Sequence, residues 1–272
     1  MEEDQMNIID LFLLSIIQGL TEFLPVSSSA HLILVSEFLD SSDTGIVFDV
    51  AVHLGTLLAA MIYFRKEVIG MIRGLSFNQK NQEETHQLVN ILVAVLPILV
   101  MGFLLRDFVD QNLRSSEIIA YATIFFGLIL LWSDKIKTTS NDINLITTKQ
   151  AFIIGLSQCF ALIPGTSRSG VTISAALFLG IGREAAAKFS FLLAIPTIGA
   201  IAASELINLS IKDLLNQGSD LVLALCVSFV IAYLTIDVFL KLVNRFSFTP
   251  FVVYRVLLGV WLLSYWVSCC QY

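Results

Sequence analysis

Charged side chains are scarce in this sequence. Only 14% of the 272 residues are Asp, Glu, Lys or Arg, while 56% are hydrophobic; soluble domains carry about 25% charge. Proline is also rare, with five residues against twenty phenylalanines, which favours packed apolar helices over loops. The alternating ten-residue pattern of an outer-membrane β-barrel is absent. The chain is therefore predicted to be an all-α integral membrane protein.

Other signals are missing as well. The first six residues are acidic, whereas a secretory signal needs a positive start, and no small-residue cleavage site follows. The four cysteines lie in or beside apolar segments at spacings that fit neither a zinc site nor a disulfide framework. We therefore expect no cleaved leader, no redox chemistry and no nucleic-acid partner.

Long apolar runs are the main feature that is present. A membrane-spanning helix needs about 20 mostly apolar residues. Six segments meet this requirement and are predicted to cross the bilayer: 46–64, 88–105, 117–134, 184–206, 220–240 and 250–268.

Two further apolar regions, 8–39 and 150–181, have a different pattern. Each is long enough to enter the bilayer twice, and each is interrupted near its middle by proline and a cluster of hydroxyl residues, at 25–29 and 164–169. We interpret both as re-entrant helix–turn–helix hairpins.

The distribution of Lys and Arg predicts the orientation, because cytoplasmic loops are enriched in these residues. If both hairpins enter and leave on one side, ten basic residues share a side: Arg65, Lys66, Arg73, Lys80, Lys135, Lys137, Lys149, Arg183, Lys241 and Arg245. The other side receives three, Arg106, Arg114 and Lys212, together with the acidic N-terminus, Asp40, Asp43, Asp107 and Asp110. The first side is therefore predicted to be cytoplasmic, with both termini outside.

The same topology divides the single membrane domain, 1–272, into two halves. Residues 1–134 and 150–272 each contain one hairpin and three spans, and a cytoplasmic loop, 135–149, connects them. An odd number of crossings makes the second half start from the opposite face, so the halves are predicted to be inverted repeats. Residues 23–28 resemble 162–167 at the two interruptions. Inverted repeats with broken helices commonly place a site where the broken helices meet.

The first hairpin offers groups that could bind a cation. Gln18 and Glu22 are four residues apart and share one helix face. A carboxylate with a neighbouring amide oxygen is a plausible half-site for Mg²⁺ or Ca²⁺, which completes its shell with water and phosphate. The alternative is that the two side chains only satisfy each other.

Nucleophilic groups follow directly. Ser27, Ser28 and Ser29 open a new helix, where hydroxyls cap free N–H groups and an anion is favoured. His31 lies on the same face as Ser28, so the two are a candidate nucleophile and base. Ordinary capping by the serines beside a hydrogen-bonded histidine is the competing interpretation.

The second hairpin supplies anion-binding groups. Gly165, Thr166, Ser167, Ser169 and Thr172 form a glycine- and hydroxyl-rich helix start. Arg168 lies among them, and its planar guanidinium matches phosphate bidentately. In an apolar hairpin this cation needs a partner, which is either Glu22 or a bound phosphate.

Together the two hairpins contain the groups needed for metal-assisted phosphoryl transfer. An inverted-repeat transporter or lipid-carrier flippase is the rival interpretation, and a metal-free anion channel is a third. The sequence leaves the nucleophile open among Ser28, His31 and water.

These residues also resemble a known family. The segments QGLTEFLPVSS (18–28) with His31, and PGTSRSGVT (164–172), are similar to two signature segments of the undecaprenyl pyrophosphate phosphatases of the bacitracin-resistance type. The segments 189–193 and 254–255 resemble further parts of that family. The resemblance therefore covers essentially the whole chain.

The resemblance implies a bacterial inner-membrane enzyme that removes the terminal phosphate of a C55 lipid pyrophosphate and regenerates the carrier for peptidoglycan synthesis. It also implies divalent-metal dependence and an active site open to the periplasm. Glu22, Ser28, His31, Ser167, Arg168 and Thr172 match its functional positions. Some members carry Glu where this chain has Gln18, which argues against a mechanism that requires two carboxylates. Membrane lipid and the lipid pyrophosphate are the expected partners, and homodimer formation is left open.

Overall fold

The helices follow the apolar runs of the sequence. The computed structural model describes residues 7–28, 30–32, 35, 45–76, 79–138, 140–206 and 218–269, and this part of the chain contains no β-strand. Its α-helices are α1 (Ile8–Thr21), α2 (Gly45–Tyr63), α3 (Arg65–Gly74), α4 (Gln82–Asn112), α5 (Ser116–Ser133), α6 (Thr148–Gln158), α7 (Arg168–Phe178), α8 (Arg183–Leu206), α9 (Gly218–Val243) and α10 (Thr249–Cys269).

Each of the six predicted spans coincides with one helix: α2, α4, α5, α8, α9 or α10. Within the described residues, α4, α5, α8 and α9 are each long and apolar enough to cross a membrane. The bent pair α2–α3 is a fifth candidate, and α10 is a shorter apolar helix. The predicted class, a helical multi-pass membrane protein, is confirmed, whereas the count of six spans stays a prediction.

Both predicted interruptions are present. After α1 the chain turns through residues 22–26, and after α6 a short 3₁₀ helix, Cys159–Leu162, leads into the break before α7. Ser27 and Ser167 have positive φ angles of 76° and 69°, which are uncommon outside glycine and mark a sharp reversal. Gly165 also has a positive φ, 91°, and a Cβ there would overlap the carbonyl oxygen of Ile119.

The two halves repeat each other with a shift of 140 residues. Asn7 caps α1 and Thr147 caps α6, and the strained serines, Ser27 and Ser167, fall at matching positions. The structural match of the two halves is therefore displaced by one residue from the sequence resemblance between 23–28 and 162–167. The proline need not occupy the same position within each break. Several predicted features lie outside the described residues: the acidic residues 1–6, Ser29, most of 33–44 including Asp40 and Asp43, Lys212, and the side chains of Cys269 and Cys270.

The hairpin helix of each half packs against a long helix of the other half. The α1 helix contacts α9, and α6 contacts α4. Glycines permit both close approaches: a Cβ on Gly19 would lie 2.9 Å from the carbonyl oxygen of Ser228, and one on Gly155 would overlap the backbone of Ala94. Small residues are the usual means of close helix packing in membranes. These two contacts between the halves bring the two interruptions together. The inverted orientation of the halves stays a prediction.

One helix was not predicted. The segment 65–87 was interpreted as a cytoplasmic loop, but α3 begins directly after α2 and is bent from it by 80°. Its ten residues include Arg65, Lys66, Glu67 and Arg73, so it is too short and too charged to match a spanning pattern.

Candidate active site

Glu22 lies at the end of α1 and joins the two interruptions. Its Oε1 accepts a hydrogen bond of 2.6 Å from Nη2 of Arg168, and the side chains are only 6% and 14% exposed. Its Oε2 accepts from Ser28 Oγ and from Gln18 Nε2, each at 2.9 Å. A carboxylate, a hydroxyl, an amide and a guanidinium from both hairpins therefore form one polar cluster.

Arg168 is the first residue of α7. The Ser167 side chain caps this helix by accepting from the N–H of Gly170 at 3.2 Å, which fixes the direction in which Arg168 leaves the turn. Of the two partners that the sequence allowed for Arg168, the structure shows Glu22. A buried pair of this kind is costly to desolvate and adds little net stability, so its position points to a role beyond folding.

Arg255 holds the two turns against each other. The sequence left open whether this residue pairs across helices or touches the site. Its guanidinium is fully buried and donates to four backbone carbonyls, at 2.9 to 3.4 Å: Pro25, Thr123, Gly165 and Thr166. One of these belongs to the first turn and two to the second. Arg255 therefore connects both interruptions through their backbones.

The predicted pairing of Ser28 with His31 is absent. Ser28 donates to Glu22 instead. His31 Nδ1 lies 2.6 Å from the carbonyl oxygen of Ser27, and its Nε2 is hydrogen-bonded to the hydroxyl of Tyr254 on α10. The two rings are nearly parallel, with an angle of 8° between their planes. Sequence spacing could not show a partner 223 residues away.

The other predicted phosphate-binding residues face the protein interior. The carbonyls of Gly165 and Thr166 bind Arg255. Ser169 Oγ donates to the carbonyl of Leu24 at 2.9 Å, so it links the second turn to the first. Thr172 is 1% exposed. Its Oγ1 lies 2.7 Å from Ser190 Oγ on α8.

These contacts separate the predicted residues into two groups. Ser27, Ser167, Ser169 and Thr172 are buried and shape the turns. Ser28, His31 and Arg168 are partly exposed, and Ser28 and Arg168 contact the buried carboxylate of Glu22. The partly exposed residues are the ones placed to meet a ligand.

The cluster fits the ligand preferences of a hard divalent cation. Gln18 is fully buried, and its Oε1 has no hydrogen-bond partner, although its Nε2 holds Glu22. An orphaned amide oxygen beside a carboxylate supplies the one or two protein oxygens that Mg²⁺ usually takes. Nowhere in the described residues do three or more His, Cys, Asp or Glu side chains gather around a potential metal position. The protein therefore offers a sparse half-site, which phosphate and water oxygens must complete.

Comparison with known proteins gives concordant matches. The family model of the bacitracin resistance protein BacA matches residues 11–261. An undecaprenyl-diphosphatase of Aliivibrio salmonicida is 47% identical over 264 residues, which are 96% of this chain and 98% of the relative. Undecaprenyl-diphosphatase 1 of Pseudoalteromonas translucida is 46% identical over 96% of this chain and 99% of its own length. An undecaprenyl-diphosphatase of Hahella chejuensis is 46% identical over 95% and 98%.

Proposed function

Since the chain belongs to the bacitracin resistance protein BacA family, we propose that it is an undecaprenyl-diphosphatase, the activity for which its relatives of 46–47% identity are named. The enzyme removes the terminal phosphate of undecaprenyl diphosphate and leaves undecaprenyl phosphate. This reaction recycles the lipid carrier of peptidoglycan synthesis and underlies bacitracin resistance. The observation that carries the proposal is the contact between Glu22 and Arg168 across the two interruptions.

Arg168 binds the diphosphate. Glu22 uses one nitrogen, Nη2, and no other side chain in the described part of the protein holds the guanidinium. The remaining N–H groups of its fork are available for two oxygens of a phosphate. The start of α7 adds the positive end of a helix dipole at the same position. The polyprenyl tail stays in the surrounding lipid.

Glu22 and Gln18 are the candidate cation ligands. Gln18 Nε2 donates to Oε2 of the carboxylate, and the Oε1 atom of Gln18 has no hydrogen-bond partner. These two oxygens would hold the divalent cation, Mg²⁺ or Ca²⁺. When bound, the cation supplies charge stabilisation to the phosphate oxygens.

Ser28 is placed to act as the nucleophile. Its hydroxyl donates to Glu22 Oε2 at 2.9 Å, so the carboxylate can accept the proton while Oγ forms a bond to the terminal phosphorus. The bridging P–O bond breaks, and undecaprenyl phosphate leaves. Water then hydrolyses the phosphoserine. His31 is held by Ser27 and Tyr254, which makes it a positioning and proton-transfer group in this scheme.

Rapid quenching with ³²P-labelled substrate tests the nucleophile. We expect a phosphoserine in the wild type and none in Ser28→Ala. A phosphohistidine, or turnover of Ser28→Ala at the wild-type rate, would contradict this role.

Phosphate release tests the function itself. The purified chain should release inorganic phosphate from undecaprenyl diphosphate, lose this activity in EDTA and regain it with Mg²⁺ or Ca²⁺. Movement of the lipid between leaflets of proteoliposomes without phosphate release would identify a flippase instead. Activity that survives EDTA would remove the cation from the proposal while leaving the phosphatase.

The Lys and Arg distribution supports a location in the bacterial inner membrane with the active site on the periplasmic side. The basic residues lie at one end of three helices: Arg65 follows α2, Arg183 begins α8, and Lys241 lies near the end of α9. In this orientation the enzyme acts on lipid diphosphate released outside the cytoplasm.

A further inference from the structure

A second polar cavity lies at the basic ends of α2, α8 and α9. Its volume is about 590 Å³. Four basic and two acidic side chains line it: Arg65, Lys66, Lys188, Lys241, Glu67 and Glu184. None of these residues belongs to the catalytic cluster.

Buried aromatic rings separate this cavity from the catalytic cluster. Phe23 follows Glu22 and packs edge-on against Phe191, with ring centres 5.2 Å apart. Phe191 contacts Phe64 at 6.4 Å, and Phe64 lines the cavity. All three rings are at most 2% exposed. The cavity is therefore a separate compartment and not an extension of the active site.

The charges that line the cavity favour an anion. Lys188 is paired with Glu67 at 2.6 Å, and Lys241 with Asp237 at 2.6 Å. Arg65 and Lys66 form no ion pair with any described residue. Glu184 also lines the cavity and accepts only from the neutral Asn244. Four basic against two acidic side chains still leave the lining positive, and the planar fork of Arg65 and the compact ammonium of Lys66 are well suited to bind phosphate.

The backbone at the bend adds donors. The cap residue of α3 is Phe64, whose side chain cannot accept a hydrogen bond, so the first N–H groups of this helix lack a side-chain cap. Arg65 and Lys66 lie in the same turn. The start of this helix and the two cations therefore belong to one segment at the wall of the cavity, and Lys188 and Lys241 approach from α8 and α9.

The orientation of α3 indicates which anion is available. This helix turns by 80° from α2. Its apolar side chains Ile69 and Ile72, and Leu75 directly after it, are 47 to 61% exposed. A helix with exposed apolar residues and flanking Arg and Lys is typical of the plane of the membrane interface. Tyr63 and Tyr233 at the cavity have the chemistry of interfacial aromatic residues. The cavity mouth therefore lies at the depth of lipid headgroups.

We propose that this cavity binds the phosphate headgroup of an anionic membrane phospholipid, with Arg65 and Lys66 as the main contacts. The site lies at the opposite face from the catalytic cluster and does not depend on the proposed phosphatase activity. It would fix α3 in the interface and hold the bend between α2 and α3.

Native mass spectrometry of the full chain in neutral detergent can test this site, with phosphatidylglycerol as the probe. The double variant Arg65→Gln/Lys66→Gln should bind phosphatidylglycerol about tenfold more weakly than the wild type, the effect of losing roughly one strong charge-assisted contact. The matched control is Arg73→Gln, on the same helix but outside the cavity lining, which should bind within about twofold of wild type. Lys66→Gln alone should give an intermediate loss, and phosphate release from undecaprenyl diphosphate should show that all variants are folded.

Four results would overturn the proposal. Unchanged phosphatidylglycerol binding by the double variant would show that the two cations make no contact with the headgroup. An equal loss in Arg73→Gln, or equal binding of phosphatidylcholine, would show general surface attraction. Displacement of phosphatidylglycerol by inorganic phosphate at similar concentration would assign the cavity to a free anion.

Discussion

Arg255 shows how one side chain can determine the geometry of a site without touching the substrate. Its guanidinium donates to carbonyls of both turns and of α5. A buried carbonyl that loses its donor costs about 1 to 3 kcal/mol. The two strained turns therefore depend on this residue for their relative position.

The variant Arg255→Lys keeps the charge and removes the fork. A single ammonium cannot reach four carbonyls in two directions, so we expect a loss of at least about 2 kcal/mol of stability and a marked loss of activity. Thermal unfolding in detergent measures the first, and phosphate release measures the second. The control Arg245→Lys, at an exposed arginine, should change neither; full activity of Arg255→Lys would show that the clamp is dispensable.

Tyr254 is expected to act through His31. In Tyr254→Phe the Nε2 atom loses its partner, so kcat should fall while KM stays nearly constant. A double-mutant cycle with His31→Gln should give a coupling energy of about 1 kcal/mol. The exposed Tyr121→Phe serves as the control. Additive effects of the two substitutions would show that the hydroxyl and the imidazole act independently.

At the scale of residues, the sequence predicted which side chains form the candidate site better than it predicted their contacts. Glu22 and Arg168 were singled out because ionisable groups in apolar hairpins are costly, and Gln18 because it lies four residues before Glu22 on the same helix face. The structure brings the three together. The role of Arg255 was left undecided because carbonyl directions follow from turn geometry. Thr172 was predicted to bind substrate from its spacing to Arg168, but its hydroxyl faces Ser190.

At the scale of helices, two glycine contacts keep the halves together. Gly155 lies against the backbone of Ala94, where a Cβ has no space. The contact between α6 and α4 therefore requires a residue without a side chain at this position. The contact of Gly19 with α9 is its counterpart in the other half.

The substitution Gly155→Ala should destabilise the protein by about 1 to 3 kcal/mol, because α6 must move away from α4. Thermal unfolding in detergent is the measurement. Gly102→Ala is the matched control, since its Cβ would lie 3.7 Å from the nearest atom, an ordinary contact. An unchanged midpoint for Gly155→Ala would show that the helices are not in this close contact.

The helix-scale predictions succeeded where composition is decisive. Apolar runs located the long helices, and proline with hydroxyl clusters located both breaks. The α3 helix was missed because its short apolar stretch, Val68 to Ile72, is flanked by charged residues, so the segment resembles a basic loop. A search for membrane-spanning segments does not detect a short helix that begins directly after a bend.

At the scale of the whole molecule, the distribution of Lys and Arg predicts that the basic end faces the cytoplasm. This orientation places Lys137, in the loop 135–149, inside and Arg114, between α4 and α5, outside. After replacement of the native cysteines, Arg114→Cys in intact cells should react with an impermeant maleimide, whereas Lys137→Cys should react only after permeabilisation. Labelling of both in intact cells, or the reverse pattern, would contradict the orientation.

The central claim is that the two interrupted helices form one phosphate site. The most direct measurement is a double-mutant cycle of kcat/KM for phosphate release from undecaprenyl diphosphate, with Glu22→Gln, Arg168→Lys and the double variant. We expect each single substitution to reduce the rate by at least about 100-fold and the double variant to be little worse than either, because residues that act as a unit are not additive. Near-normal activity in either single variant, or losses that multiply as independent effects, would contradict a shared site.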